Sequence, residues 1–192
     1  RNITIEQEIP TETLIGEFIQ NPITEESVII LPATFVNPDS ATGVVMSVPA
    51  HSPDDWVALS EAKQNIDQLS AYGIESASLD ALVPISILTV EGYGEFPAKD
   101  IVESFGITTS SDPLLKQATH ELYNKEFRSG ILREFYGVYS GETVEKVRDQ
   151  IKQEYIELNL FDTMYEFTED VVCRCGGNVE VAIQETWFLR YN

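Results

Sequence analysis

The stretch "TGVVMSVPAHSPDDWVAL", Thr42–Leu59, joins a β-branched run to a helix through a short bend. Ser52 followed by Pro53 predicts a helix N-cap with proline at the first helical position, where a missing N–H costs nothing. Asp55 stands three residues after Ser52, which is the spacing of a capping box, and the helix dipole stabilises acidic side chains in a first turn. The stretch therefore predicts a strand that ends at Pro49 and a helix that begins at Pro53.

The same bend allows a second interpretation, in which its side chains form the wall of a binding site. A helix N-terminus that lies over a strand end would hold Asp55 ionised and oriented, which suits a small cation such as an ammonium group. His51 and Ser52 stand directly beside it in the sequence. Local sequence leaves both interpretations open.

The rest of the chain predicts an α+β fold. Two β-branched runs, 27–36 and 42–48, are separated by the turn-forming residues "NPDSA" and predict two strands joined by a tight loop. Periodicity and turn residues further predict helices at 53–69, 97–105, 111–127 and 141–158, a strand at 83–90, and a C-terminal β-hairpin after residue 170.

Composition bounds the class of protein. A chain of 192 residues with 43% hydrophobic content can bury a sizeable core. Twelve Lys and Arg against 32 Asp and Glu give a net charge of −20, which repels polyanions such as nucleic acids over the chain as a whole. The sequence contains no run of about 18 apolar residues, so no membrane span is predicted. It opens with "RNITIE", without a methionine, which indicates a piece of a longer polypeptide.

The two cysteines, Cys173 and Cys175, are spaced as Cys-Arg-Cys. This spacing in a strand disfavours a disulfide between them, and no second Cys or His pair stands at zinc-ligand spacing. We therefore expect structural or incidental cysteines, no disulfide between them, no metal, and a reducing, cytoplasmic setting.

Four segments together resemble one known family. They are "ILPATFVNPDSATGVVMSVPAHSPDDWVAL", "PISILTVEGYGEFPA", "GILREFYGVYSGETVEKVRDQI" and "TWFLRYN". These segments are similar to the editing insertion of leucyl-tRNA synthetases in its archaeal and eukaryotic form. The resemblance extends over essentially the whole chain, and its most specific part is the Gly-Val-Val-Met-Ser-Val-Pro-Ala-His motif.

The resemblance implies a proofreading hydrolase within a leucine-tRNA ligase, an enzyme that attaches leucine to its tRNA using ATP. The insertion receives the 3′ end of tRNA(Leu) and hydrolyses the ester when the wrong amino acid is attached. The implied fold has a small β-barrel-like core with peripheral helices. Residues 1–170 would form the editing domain and residues 171–192 a β-ribbon that returns to the catalytic core of the synthetase.

The resemblance also assigns site residues by position. Asp55 matches the aspartate that holds the α-amino group of the misattached amino acid, and it is our catalytic candidate. Met46, Val48 and His51 match the pocket wall around the aminoacyl group. Ser52 is a further substrate-binding candidate, although bacterial members have an aspartate there. The Thr-rich segment that forms the opposite wall in the family, Thr-x-Arg-Pro-Glu-Thr, is not in this chain.

Cofactors and partners follow from the same resemblance. We expect none in this segment, because ATP and Mg²⁺ belong to the separate catalytic domain of the parent enzyme. The isolated chain should bind tRNA weakly and hydrolyse little ester. Two interpretations from other classes remain open on the residues alone: an acidic, non-catalytic interaction domain, and a freestanding ester hydrolase.

Overall fold

The computed structural model describes residues 7, 9–36, 43–163, 165, 167, 171–177, 179 and 181. Short strands and helices both occur along these residues, as the sequence predicted for an α+β chain. The strands are β1 Phe18–Gln20, β2 Ser27–Ile29, β3 Leu88–Thr89 and β4 Ile131–Leu132. The helices are α1 Pro53–Gln64, α2 Ile66–Leu69, α3 Ser76–Asp80, α4 Pro97–Phe105, α5 Leu115–Ser129 and α6 Val144–Glu157. Short 3-10 turns lie at Thr11–Thr13, Ser70–Tyr72 and Glu134–Tyr139.

The first sheet is a hairpin near the N-terminus. β1 and β2 pair antiparallel, with Ile19 opposite Val28. Just before β1, Gly16 adopts φ +87°, and a Cβ at this position would lie 2.6 Å from the Tyr72 carbonyl oxygen. Glycine is required here because only it combines a left-handed backbone with so close an approach.

The main core lies between three helices. Pro97 and Leu115 begin α4 and α5, and the apolar faces of both pack on α1. Most residues of this core are buried because the helical period places them on one face of each helix, and Ile107 follows the end of α4. They are Val57, Ala98, Ile101, Val102, Ile107, Leu115, Ala118 and Leu122.

A second core lies between the small sheet of β3 and β4 and helix α6. Leu88 pairs with Leu132, and both pack with Val90 and Val147. The Val147 face of α6 is the amphipathic stripe expected from the sequence, and the helix begins at Val144. Together the two cores position the segment before α1, because α4, α5 and β3 all contact it.

The predicted strands at 27–36, 42–48 and 83–90 were too long. The first is regular only over Ser27–Ile29, residues 43–48 form no strand, and the third shortens to Leu88–Thr89. The β propensity of Val and Ile expresses how well they fit a pleated, half-buried surface. Val45 is 60% exposed and Met46 49% exposed, so the 43–48 segment has no such surface in the described structure.

Helix boundaries were closer to prediction. α4 spans Pro97–Phe105, as predicted, and α6 lies within the predicted 141–158. The helix predicted over 53–69 is interrupted at Asn65, whose φ −108° and ψ +36° are not helical, so it divides into α1 and α2. The helix predicted from residue 111 begins at Leu115, because Asp112 Oδ1 instead accepts the Leu114 N–H in a turn.

The expectation of two unpaired cysteines was wrong. Cys173 and Cys175 form a disulfide across a Cα–Cα distance of 5.3 Å. The described chain turns here rather than running extended, since the Cys173 carbonyl accepts the Gly176 N–H and the Cys173 N–H bonds to the Gly177 carbonyl, both at 2.9 Å. The turn brings the two sulfur atoms to one side. Most of the predicted hairpin at 171–192 lies outside the described residues.

Among the helices of the described residues, none combines the length and apolar character that crossing a bilayer requires.

Candidate functional site

The candidate site is built on the bend before α1 and the first turn of that helix, residues 48–55, which we call the corner. The Val48 carbonyl accepts the N–H groups of both His51 and Ser52 at 2.9 Å, which closes a tight turn. Ala50 is buried, and its carbonyl accepts the Ala98 N–H at 3.1 Å. The start of α4 therefore holds the turn in place through this hydrogen bond.

The helix start predicted from sequence is confirmed. Ser52 is the N-cap of α1, and its Oγ accepts the Asp55 N–H at 3.3 Å. Asp55 does not return the bond to the N-cap, as a capping box would. Its Oδ2 instead accepts the Val48 N–H at 2.7 Å. The carboxylate thus ties the start of the helix to the segment that precedes the turn.

The Asp55 carboxyl is buried, with the residue only 6% exposed. Burial raises the pKa of this carboxyl, hydrogen bonds from the Val48 N–H and Ser52 oppose the shift, and the charge of Asp54 adds to it. A partly desolvated carboxylate interacts strongly with an incoming cation, because less water screens the pair.

His51 is also buried, and it bonds on both sides of its ring. Its Nδ1 lies 2.7 Å from Glu126 Oε1 on α5, and its Nε2 accepts the Ile87 N–H at 2.9 Å. Since a backbone N–H can only donate, Nε2 carries no proton and Nδ1 donates to the carboxylate. The ring thus joins the corner to α5 and to the start of β3.

Glu126 is a buried acid, 6% exposed, on the apolar face of α5. Burial raises the pKa of its carboxyl, while the hydrogen bond and the charge interaction with His51 oppose that shift. A buried carboxylate is costly unless it is paired. His51 is the partner that the structure provides.

Two further residues of α5 lie against the corner. Thr119 Oγ1 donates to Asp54 Oδ2 at 2.7 Å. Burial raises the pKa of the Tyr123 phenol, a hydrogen bond with Ser52 opposes the shift, and the negative charge of Asp55 adds to it. The Tyr123 hydroxyl therefore lies beside the cap of α1.

The five sequence candidates divide into two groups. His51, Ser52 and Asp55 are buried and lie together in the corner. Met46 precedes the corner and Val48 is its first residue; both are exposed, at 49% and 42%.

Pockets elsewhere in the described structure do not include the corner. A cleft of about 110 Å³ lies along α1, lined by Trp56, Leu59, Ser60, Lys63 and Pro84. Another lies at the end of α6 around Phe161. Within the described ranges, no group of three or more His, Cys, Asp or Glu side chains is arranged to hold a metal ion. The corner therefore presents hydrogen-bonding and charged groups without a metal cluster.

Sequence reasoning missed the α5 residues Thr119, Tyr123 and Glu126. They lie 65 to 75 positions from their partners in the chain, so no local spacing connects them. One signal was present for Glu126, because it continues the buried series Leu115, Ala118 and Leu122 along α5. A glutamate in an apolar stripe indicates a buried partner.

Glu126 gives the first prediction, a loss of stability as pH rises. Because the pKa of its carboxyl in the folded chain lies above the ordinary value of 4.5, the folded chain binds this proton more tightly than the unfolded chain. The stabilisation that this proton gives is complete below the pKa of Glu126 in the unfolded chain. It is lost as the pH rises through the pKa of Glu126 in the folded chain. We expect the free energy of unfolding in urea to fall less between pH 5 and 7 in Glu126→Gln than in the unchanged chain. Equal slopes would contradict a raised folded pKa.

Comparison with known proteins gives consistent relatives. Residues 4–80 match the family model described as "Leucyl-tRNA synthetase, editing domain". The leucine–tRNA ligase of Methanosarcina barkeri is 44% identical over 193 residues, covering 100% of this chain and 20% of that protein. That of Methanothermobacter thermautotrophicus is 44% identical over 181 residues, covering 93% and 19%. The chain thus spans about a fifth of the length of these relatives.

A solved structure shares the fold. The crystal structure of GlLeuRS-CP1 aligns with a TM-score of 0.74 at 23% identity, over 85% of this chain and 63% of that chain. At this identity the likeness concerns the arrangement of helices and strands.

Proposed function

We propose that this chain is a proofreading segment of a leucine–tRNA ligase, because it is similar to the editing region of leucyl-tRNA synthetases. Its reaction is the hydrolysis of the ester that joins a wrong amino acid to the 3′ end of tRNA(Leu). Water attacks the ester carbonyl, and the amino acid and the tRNA hydroxyl are released. The support is the family match over residues 4–80 and the likeness of the whole of this chain to about a fifth of a leucine–tRNA ligase.

A physical limit on amino-acid selection explains why such a segment is needed. A methylene group more or less in an apolar pocket is worth only about 1–3 kcal/mol of discrimination. A synthetase that must separate leucine from similar aliphatic amino acids therefore needs a second site. The second site removes what the first attaches wrongly.

The observation that carries the proposal is the buried Asp55 carboxylate beside exposed apolar residues. In this role Asp55 receives the α-ammonium group of the misattached amino acid, while Met46 and Val48 contact its side chain. Burial favours the pairing, because a desolvated carboxylate gains more from a cation than an exposed one. Ser52 fixes the Asp55 backbone, and His51 holds the turn.

The wider organisation belongs to the same proposal. We propose a barrel-like core completed by parts of the polypeptide outside this chain, an editing domain over 1–170, and a β-ribbon over 171–192. ATP and Mg²⁺ act in another domain of the ligase, and this segment uses no cofactor. A cytoplasmic location follows from the parentage alone, since the Cys173–Cys175 disulfide removes the cysteine argument for a reducing compartment.

The test is a deacylation assay on the intact synthetase that contains this segment. The enzyme with Asp55→Ala is mixed with tRNA(Leu) that carries a non-leucine aliphatic amino acid, and release of the amino acid is followed. Persistence of the mischarged tRNA, with normal leucine attachment, supports the proposal. Clearance at the original rate contradicts it.

The isolated chain should do little of this by itself. Its net charge of −20 repels tRNA, so we expect a dissociation constant weaker than about 1 μM at physiological salt. Ester hydrolysis should be near background as well, because a pocket with one wall positions water poorly. Filter binding and deacylation assays of the 192-residue chain check both statements. Tight binding or rapid turnover would contradict them.

A further inference from the structure

Helix α5 contacts the corner at successive turns along one face. Thr119 donates to Asp54 at 2.7 Å, and Glu126 lies 2.7 Å from the His51 ring. Tyr123 stands four residues after Thr119 and three before Glu126, so the helical period places it on the same face. Two residues of α5 thus bond to the corner, and Tyr123 lies between them on the same face.

The contacts are specific and partly buried. His51 and Glu126 are both nearly inaccessible to solvent, and Thr119 and Asp54 are half-buried. Below this polar face, Leu122 is fully buried in the core formed with α1 and α4. The polar face of α5 is therefore held at a fixed distance from the corner by close packing, which tolerates little displacement.

We propose that α5 is the positioning element of the editing site, with Thr119, Tyr123 and Glu126 acting through Asp54, Ser52 and His51 to fix the orientation of the Asp55 carboxylate. The inference rests on the proposed editing function and extends it to residues that do not touch the substrate. The Asp55 carboxylate holds the ammonium group of the substrate and so also sets where the substrate ester lies relative to the attacking water. Its orientation therefore has little tolerance for change. A displacement of about 1 Å in such an arrangement can cost about 100-fold in rate.

The polar groups of Thr119 and Tyr123 can each be removed by a substitution that changes the shape of the side chain little. Thr119→Val replaces a hydroxyl by a methyl group, and Thr119→Ser keeps the hydroxyl. Tyr123→Phe removes only the phenolic oxygen. His120→Gln, at an exposed position between them on the same helix, is the matched control.

The experiment uses the intact synthetase and measures kcat and KM for deacylation of mischarged tRNA(Leu), leucine attachment and the melting temperature. We expect Thr119→Val and Tyr123→Phe to lower the deacylation kcat by about 10-fold each, with KM, leucine attachment and melting temperature unchanged. Thr119→Ser should restore most of the rate, and His120→Gln should not alter it. A purely structural role would instead lower the melting temperature.

The experiment distinguishes failure of the positioning role of α5 from failure of the proposed editing function. If Asp55→Asn abolishes deacylation but Thr119→Val and Tyr123→Phe leave kcat unchanged, the positioning role of α5 is overturned and the editing function stands. If Asp55→Asn leaves deacylation intact, the editing function of the corner fails first. A fall in kcat for Thr119→Val that Thr119→Ser does not reverse would also contradict the positioning role.

Discussion

Replacement of Asp55 by Asn in the intact synthetase is expected to abolish clearance of mischarged tRNA(Leu) while leaving leucine attachment nearly unchanged. A buried carboxylate that meets an ammonium group contributes a charge-assisted hydrogen bond of roughly 1.5–3 kcal/mol. Its loss corresponds to a fall of about 10- to 150-fold in the rate of deacylation at low substrate. Deacylation and aminoacylation assays on the same preparation measure the two activities.

The asparagine variant separates the two interpretations of the corner. Asn keeps the size of Asp55 and retains an oxygen that can accept the Val48 N–H, so the start of α1 should remain intact. Because burial already disfavours the charged form, removal of the charge should cost little stability. If Asp55 were only a first-turn residue, Asp55→Ala would cost a few tenths to about 1 kcal/mol and editing would persist. If editing survives Asp55→Asn, the helix-start interpretation is the one that remains.

Replacement of His51 by Ala should produce the largest loss of stability. The change leaves the Glu126 carboxylate buried without its partner and removes the acceptor for the Ile87 N–H. Breaking a buried pair by removing one member typically costs about 3–5 kcal/mol. For a chain of this size that corresponds to a fall of at least about 6 °C in melting temperature. Urea unfolding and thermal melting of the chain measure the effect.

Two comparisons identify the cause of that loss. His120→Ala changes the other histidine of the chain, which is exposed on α5, and should alter the free energy of unfolding by less than about 0.5 kcal/mol. The cost of His51→Ala should also be smaller at pH 5 than at pH 7, because an unpaired Glu126 can then take up a proton. A loss that is small, or that grows as pH falls, would show that the pair is not the reason.

The start of α1 could be predicted from residues 52–55 because capping is local. The Ser52 hydroxyl reaches an N–H only three residues away, and Pro53 sets the backbone of its own position. The same holds for α4, which Pro97 begins and Gly106 ends with φ +67°. The resemblance of the corner to the editing insertion could also be recognised from the sequence, because the motif is continuous in the chain.

The environment of Asp55 was decided by tertiary structure. The partner of His51 is Glu126, 75 positions away, and the residues on α5 reach the corner only because Leu122 and Ala118 pack into the core beside α1. The strands shortened because β-branched residues form strands only where another strand pairs with them and a surface covers them. The Cys173–Cys175 bond formed because the chain turns there. Local hydrogen bonds depend on sequence spacing, whereas burial and distant pairs depend on which surfaces the packed helices bring together.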